Sequence, residues 1–168
     1  MLTVKKSMPL TFQLLSVFFL IACEPKVDPR MLELEQRILQ EINTFRSNEE
    51  KPVLSENEKL SEVAREHSED MSRRDYFSHD TPEGVSFDER IAKAGIAYLK
   101  AGENIYYRLN PDIENLSVAE LASGVVEAWK NSSGHREIML DADFNEAGVG
   151  CFSGGDELYV TLDVIEAP

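Results

Sequence analysis

The sequence predicts an α+β domain, a small antiparallel sheet covered by helices. Three observations carry this. Four segments repeat apolar residues at intervals of three and four, and three of them open on a Ser/Glu capping pair. Two β-rich runs near the C terminus flank the turn formers Ser153-Gly154-Gly155-Asp156 and read as a hairpin. No internal repeat, low-complexity tract or linker divides residues 31–168, so they read as one domain.

The leader stands apart from that domain. Lys5 and Lys6 precede an apolar run from Leu10 to Ile21. A membrane-spanning helix needs about 20 such residues, so the run reads as the core of an export signal over residues 1–22. Leu20-Ile21-Ala22-Cys23 resembles the bacterial lipobox, in which the cysteine is acylated (a palmitate-type modification) and becomes the new N terminus. Cys23 is then the anchor, and several acyl chains on one residue give durable attachment. Residues 23–30, with Pro25 and Pro29, read as a tether. The expected location is the cell envelope, on a membrane face that the sequence does not specify.

Asp28-Pro29 starts the first helix, because aspartate accepts a backbone N–H at a cap and proline suits the first turn. Met31, Leu34, Ile38, Ile42 and Phe45 then lie on one stripe. Pro52-Val53 breaks the pattern, and Ser55 with Glu58 reads as a capping box ahead of Leu60, Val63, Ala64, His67 and Met71. Ser86 with Glu89 opens a short third helix through Ile91 that Gly95 can end in the left-handed region. Ser117 with Glu120 opens a fourth, carrying Val118, Leu121, Ala122, Val125 and Trp129, whose stripe points the indole inward. Residues 103–107 read as a strand, and residues 147–152 and 158–165 as the hairpin.

Composition narrows the partners. The 168 residues carry 17 Lys+Arg against 31 Asp+Glu, a net charge of −14, which excludes a nucleic-acid backbone and favours solubility over adhesion to anionic lipid. Of the two cysteines, Cys23 is committed to the anchor, so no intramolecular disulfide is expected and Cys151 reads as a buried small apolar residue.

The three histidines divide. His67 lies on the second helix's apolar stripe and reads as a hydrogen-bonded packing residue at the core's edge. His79 and His135 follow turn-rich stretches and read as loop residues, where side chains are displayed. Imidazoles beside a carboxylate serve as zinc ligands or general bases. Spacing alone leaves open whether His79 and His135 meet.

Tyr76-Phe77-Ser78-His79, Gly102-Glu103-Asn104-Ile105, Ala128-Trp129, Ser133-Gly134-His135-Arg136 and Gly148-Val149-Gly150-Cys151 occur in the order seen in CAP domains, also called SCP domains. These are the cysteine-rich secretory, antigen 5 and pathogenesis-related 1 proteins. Ile42-Asn43-Thr44-Phe45-Arg46 resembles the family's first-helix signature, so the resemblance covers residues 31–165. It implies a three-layer α-β-α sandwich with an open cleft, where two histidines and acidic residues converge and can bind zinc or another divalent cation. His79, Glu103 and His135 match that site. Glu103 has a second reading, bracing the loop ahead of its strand while Asn104 bonds backbone. Animal and plant relatives carry another cleft glutamate three residues after the tryptophan, where this chain has Ser132. Glu146 is the candidate replacement.

The expected function is a membrane-anchored binding module of the cell envelope, its cleft holding a metal or small ligand. An envelope protein, a host protein or a lipid is its expected partner. A metal-assisted or His-based hydrolase is the alternative, since two histidines and a glutamate leave an open position on zinc. No His-Glu-x-x-His pair or Gly-x-Ser-x-Gly elbow accompanies them. The family adds a third reading, lipid or sterol binding, as some eukaryotic members do.

Overall fold

The computed structural model describes residues 28–168. The expected export signal, Cys23 and residues 24–27 lie outside the described residues. In chain order the elements are α1 (Pro29–Asn48), β1 (Ser55–Glu56), α2 (Glu58–Arg74), α3 (Phe87–Lys93), β2 (Lys100–Leu109), a 3-10 turn (Ile113–Asn115), α4 (Val118–Lys130), α5 (Ser133–Leu140), β3 (Glu146–Gly154) and β4 (Glu157–Glu166). At the start of α1 the Asp28 carboxylate accepts the Arg30 N–H at 2.9 Å, and the whole stripe from Met31 to Phe45 is buried. Ser117 and Glu120 form the full capping box of α4, and Gly95 follows α3 with φ of 71°.

The strands are ordered β1-β3-β4-β2. β3, β4 and β2 run antiparallel, but β1 pairs parallel to β3, so the sheet is mixed rather than purely antiparallel. This also corrects the reading of Ser55. Its N–H donates to the Asn145 carbonyl at 2.9 Å in β1, and the cap of α2 falls to Asn57, whose side chain accepts the Leu60 N–H at 3.1 Å. Asparagine caps as well as serine, so the signal was shifted by two residues rather than false. A second correction is α5. The segment read as a loop after Trp129 becomes helical again at Ser133, which makes five α-helices among the described residues and puts His135 in a helical first turn. Eight residues without a side-chain cap bond are too few to display a period.

The elements stack in three layers. On one face Leu34, Ile38, Ile42 of α1 and Leu121, Val125, Trp129 of α4 pack on Val149, Cys151, Val160 and Leu162. On the other, α2 lies almost in contact with the backbone of β3. A Cβ built on Gly148 would stand 2.3 Å from the Leu60 carbonyl carbon, and one on Gly150 would stand 2.0 Å from the Arg65 nitrogen. Only glycine permits this approach.

Three buried polar groups secure the layers. The Trp129 Nε1–H donates to the Ile105 carbonyl at 3.1 Å, tying α4 to β2. Arg46 is wholly buried and donates to the carbonyls of Pro52 (2.6 Å), Met139 (2.7 Å), Asp141 (2.9 Å) and Phe144 (3.2 Å). It thereby joins the segment after α1 to both ends of the loop between α5 and β3. His67 packs against the core as expected, with Nε2 3.0 Å from the Ser78 carbonyl. Cys151 is buried and free, and burial pushes its thiol well above the ordinary value.

Candidate functional site

The site forms where the loop between α2 and α3 folds over the start of β2. Asp75 ends α2 in the left-handed region with φ of 55°, which turns the chain back, and Tyr76 donates its hydroxyl to Asp70 at 2.6 Å. His79 then reaches Glu103 of β2, Nδ1 to Oε1, at 2.7 Å. The Glu103 side chain is 0% exposed, so this is a buried carboxylate contacting a half-exposed imidazole. Arg90 of α3 completes the cluster. Its Nη2 donates to the second Glu103 oxygen and its Nη1 to the His79 carbonyl at 2.8 Å. Glu103 thus orients the ring while Arg90 supplies the counter-charge.

His135 approaches from the opposite side. Asn104 faces the other layer and donates to the His135 carbonyl at 3.0 Å, fixing the first turn of α5 against β2. Between the two histidine-bearing segments lies a cleft of about 530 Å³, lined by His79, Phe87, Glu103, Gly134, Ile138 and Phe144 among others. The imidazoles are driven apart in basicity. The hydrogen bond to Glu103 raises the His79 pKa above its ordinary value, whereas burial and then the His79 charge lower that of His135.

Glu146 stands elsewhere. It begins β3, two strands from β2, and its Oε2 accepts the Asn57 side-chain N–H at 2.6 Å at the start of α2. The structure therefore brings together His79 and Glu103, sets His135 within reach of the His79 charge but not among the side chains that line the cleft, and leaves Glu146 on the far side of β4.

Two members of the cluster were not anticipated, Arg90 and Asp163. Asp163 faces Glu103 directly in the β2–β4 register, is fully buried, and has no hydrogen-bond donor on either oxygen. Burial, and then the Glu103 charge, push its carboxyl well above the usual range. The signal was available: Thr161 and Asp163 are polar at a spacing of two inside an otherwise apolar strand. An acid with a raised folded-state pKa costs stability as pH climbs above its unfolded value, because the folded state binds the extra proton. Asp163→Asn should therefore be more stable than wild type at pH 7, with the difference vanishing below about pH 4, the unfolded carboxyl range. Urea unfolding at pH 4 and pH 7 checks this, and equal effects at both would contradict it.

Among the described residues no three His, Cys, Asp or Glu side chains converge on one metal position. Glu103 has both oxygens engaged, so it stands as the carboxylate behind His79 and leaves the imidazole nitrogens as the donors with free valence.

The sequence pattern of the CAP family, described as the Cysteine-rich secretory protein family, matches residues 39–164. The chain belongs to the CAP family. Over 132 residues this CAP protein is 33% identical to the uncharacterized membrane protein YlbC of Bacillus subtilis (strain 168), a match covering 79% of this chain and 34% of YlbC. An extracellular protein containing a SCP domain from Bacillus anthracis str. Ames has the same fold, with a TM-score of 0.67 and 28% identity over 84% of this chain and 45% of that one. The structure of NaASP2 with Zn2+ superposes with a TM-score of 0.59 at 16% identity, covering 84% of each chain, a likeness of fold. The chain spans about a third of YlbC and under half of the anthracis protein. The α+β, three-layer reading is that of this family, and no helix among the described residues is long and apolar enough to cross a membrane.

Proposed function

We propose that this CAP protein is an exported module, anchored to the cell envelope through Cys23, whose cleft binds a divalent cation such as zinc through His79 and His135. The observation that carries the reading is the 2.7 Å bond from His79 to the buried Glu103. With Nδ1 taken, Nε2 is the nitrogen left for a ligand, and a carboxylate behind a metal-binding imidazole fixes its tautomer and raises its basicity. The zinc in NaASP2 and the extracellular setting of the anthracis relative support it, and the Leu-Ile-Ala-Cys23 motif supports the anchor. Zinc titration by calorimetry tests it. Wild type should bind one ion per chain, His79→Ala and His135→Ala should abolish binding, and Glu103→Gln should weaken it by about 10–100-fold. No binding to the wild type, or binding untouched in both histidine variants, would overturn it.

One observation favours a second reading. The bond to Glu103 shifts the His79 pKa up and burial shifts that of His135 down, opposite directions of the kind an acid–base pair uses. A His-based hydrolase follows from that, and turnover of a model ester or peptide that falls in both variants without added metal would identify it. An envelope protein, a host protein or a lipid remains the partner class for the module.

A further inference from the structure

Of the large apolar side chains exposed among the described residues, Val53 and Leu99 stand apart and the other three gather at one place. Phe77 is 51% exposed, Tyr107 37% and Leu109 64%, and Tyr107 and Leu109 share one face of the last stretch of β2. Phe77 meets Tyr107 with ring centroids 5.9 Å apart, and Tyr107 meets Tyr159 of β4 at 4.9 Å. The three rings form a continuous shelf at the end of β2 beyond the Glu103 cluster.

Three other rings carry a cation over a face. Arg74 lies over Tyr76, Lys100 over Phe144, and Lys130 and Arg136 over Phe45, all within 5.9 Å of the ring centroids. Among the described residues no such cation stands over Phe77, Tyr107 or Tyr159. The rim carries the opposite charge. Glu157 accepts the Tyr107 hydroxyl at 2.8 Å, and the Glu157 and Asp75 carboxylates both act on the tyrosine hydroxyls, that of Tyr107 being pushed up to about 12 chiefly by the Glu157 hydrogen bond. Electron-rich ring faces beside two carboxylates, on a chain of net charge −14, are complementary to a cation. β2 is also the terminal strand of the sheet, so its outer edge can pair with an extended backbone.

We propose that this shelf docks an arginine-bearing extended segment of a partner protein. A guanidinium stacks on the Tyr107 ring in the angle it makes with Phe77, the two planes being 44° apart, and bonds the Glu157 carboxylate, while the segment's backbone runs along the edge of β2 and its apolar side chains cover Leu109. Arginine fits better than lysine because its planar fork satisfies the rings and the carboxylate together. The inference does not depend on the metal reading of the cleft.

Calorimetric titration of the full chain with a capped pentapeptide of alternating threonine and arginine tests it, with lysine and glutamate versions as comparisons and phosphatidylcholine vesicles as the membrane alternative. The arginine peptide should bind more tightly than the lysine one, and the glutamate one not at all. Phe77→Ala and Tyr107→Ala should each weaken binding at least about tenfold, equivalent to the upper range of a cation–π contact. Tyr107→Phe, which keeps the ring, should bind within about threefold of wild type. Both alanine sites are exposed, and circular dichroism verifies their fold. Equal binding by wild type and both alanine variants would reduce the effect to diffuse charge attraction and overturn the proposal. Vesicle binding that depends on Phe77 and Tyr107 without peptide binding would overturn it in favour of a membrane surface.

Discussion

Arg90→Met is expected to destabilise the domain by about 3–5 kcal/mol, the usual result of removing one partner from a buried ion pair. Arg90 is 11% exposed and Glu103 is 0% exposed, so solvent cannot replace the lost charge. Methionine fills much of the volume, which leaves electrostatics as the main loss. The midpoint of thermal unfolding should fall by about 10 °C for a domain of this size. Adding Glu103→Gln should recover part of the loss, because the amide needs no counter-charge. The His79 ring provides a second readout. Arg90 lowers the His79 pKa through its charge, so in Arg90→Met the ring should titrate at a higher pH than in wild type by proton NMR. A variant as stable as wild type with an unmoved His79 would contradict the cluster described above.

Arg46→Met should cost at least as much, about 4–6 kcal/mol, for a different reason. Arg46 bonds four carbonyls and no carboxylate, so its loss strands acceptors from Pro52, Met139, Asp141 and Phe144 at once, at about 1–3 kcal/mol each before relaxation. Urea unfolding should show a lower midpoint with an unchanged slope, since the surface exposed on unfolding is the same. Met139 and Asp141 sit at the end of α5, so the loss also loosens the helix that carries His135. A loss near 1 kcal/mol would mean that water reaches these carbonyls.

These two arginines mark what the sequence conceals. The long helices and the hairpin were legible because burial imposes a period, as the stripe from Met31 to Phe45 shows. Ser117 with Glu120 was legible because a cap is a local device. β1 was not, because two residues cannot show alternation and their parallel partner is 91 residues away. His79 and Glu103 were found through motif order, but their bond is a tertiary fact. Arg90 and Arg46 look like any helical arginine until the fold encloses them. Asp163 alone gave a local sign, a charge inside an apolar strand.

The near-contact of α2 with Gly148 and Gly150 fixes how the cleft can respond to a ligand. A helix seated directly on strand backbone has no side-chain layer to shear over, so it behaves with the sheet as one rigid plate. Adjustment is left to two attachments on that plate, the 76–86 loop and α5. Each carries one histidine. An ion or small molecule bridging His79 and His135 would therefore act as a clasp that joins the two attachments to each other without altering the plate beneath.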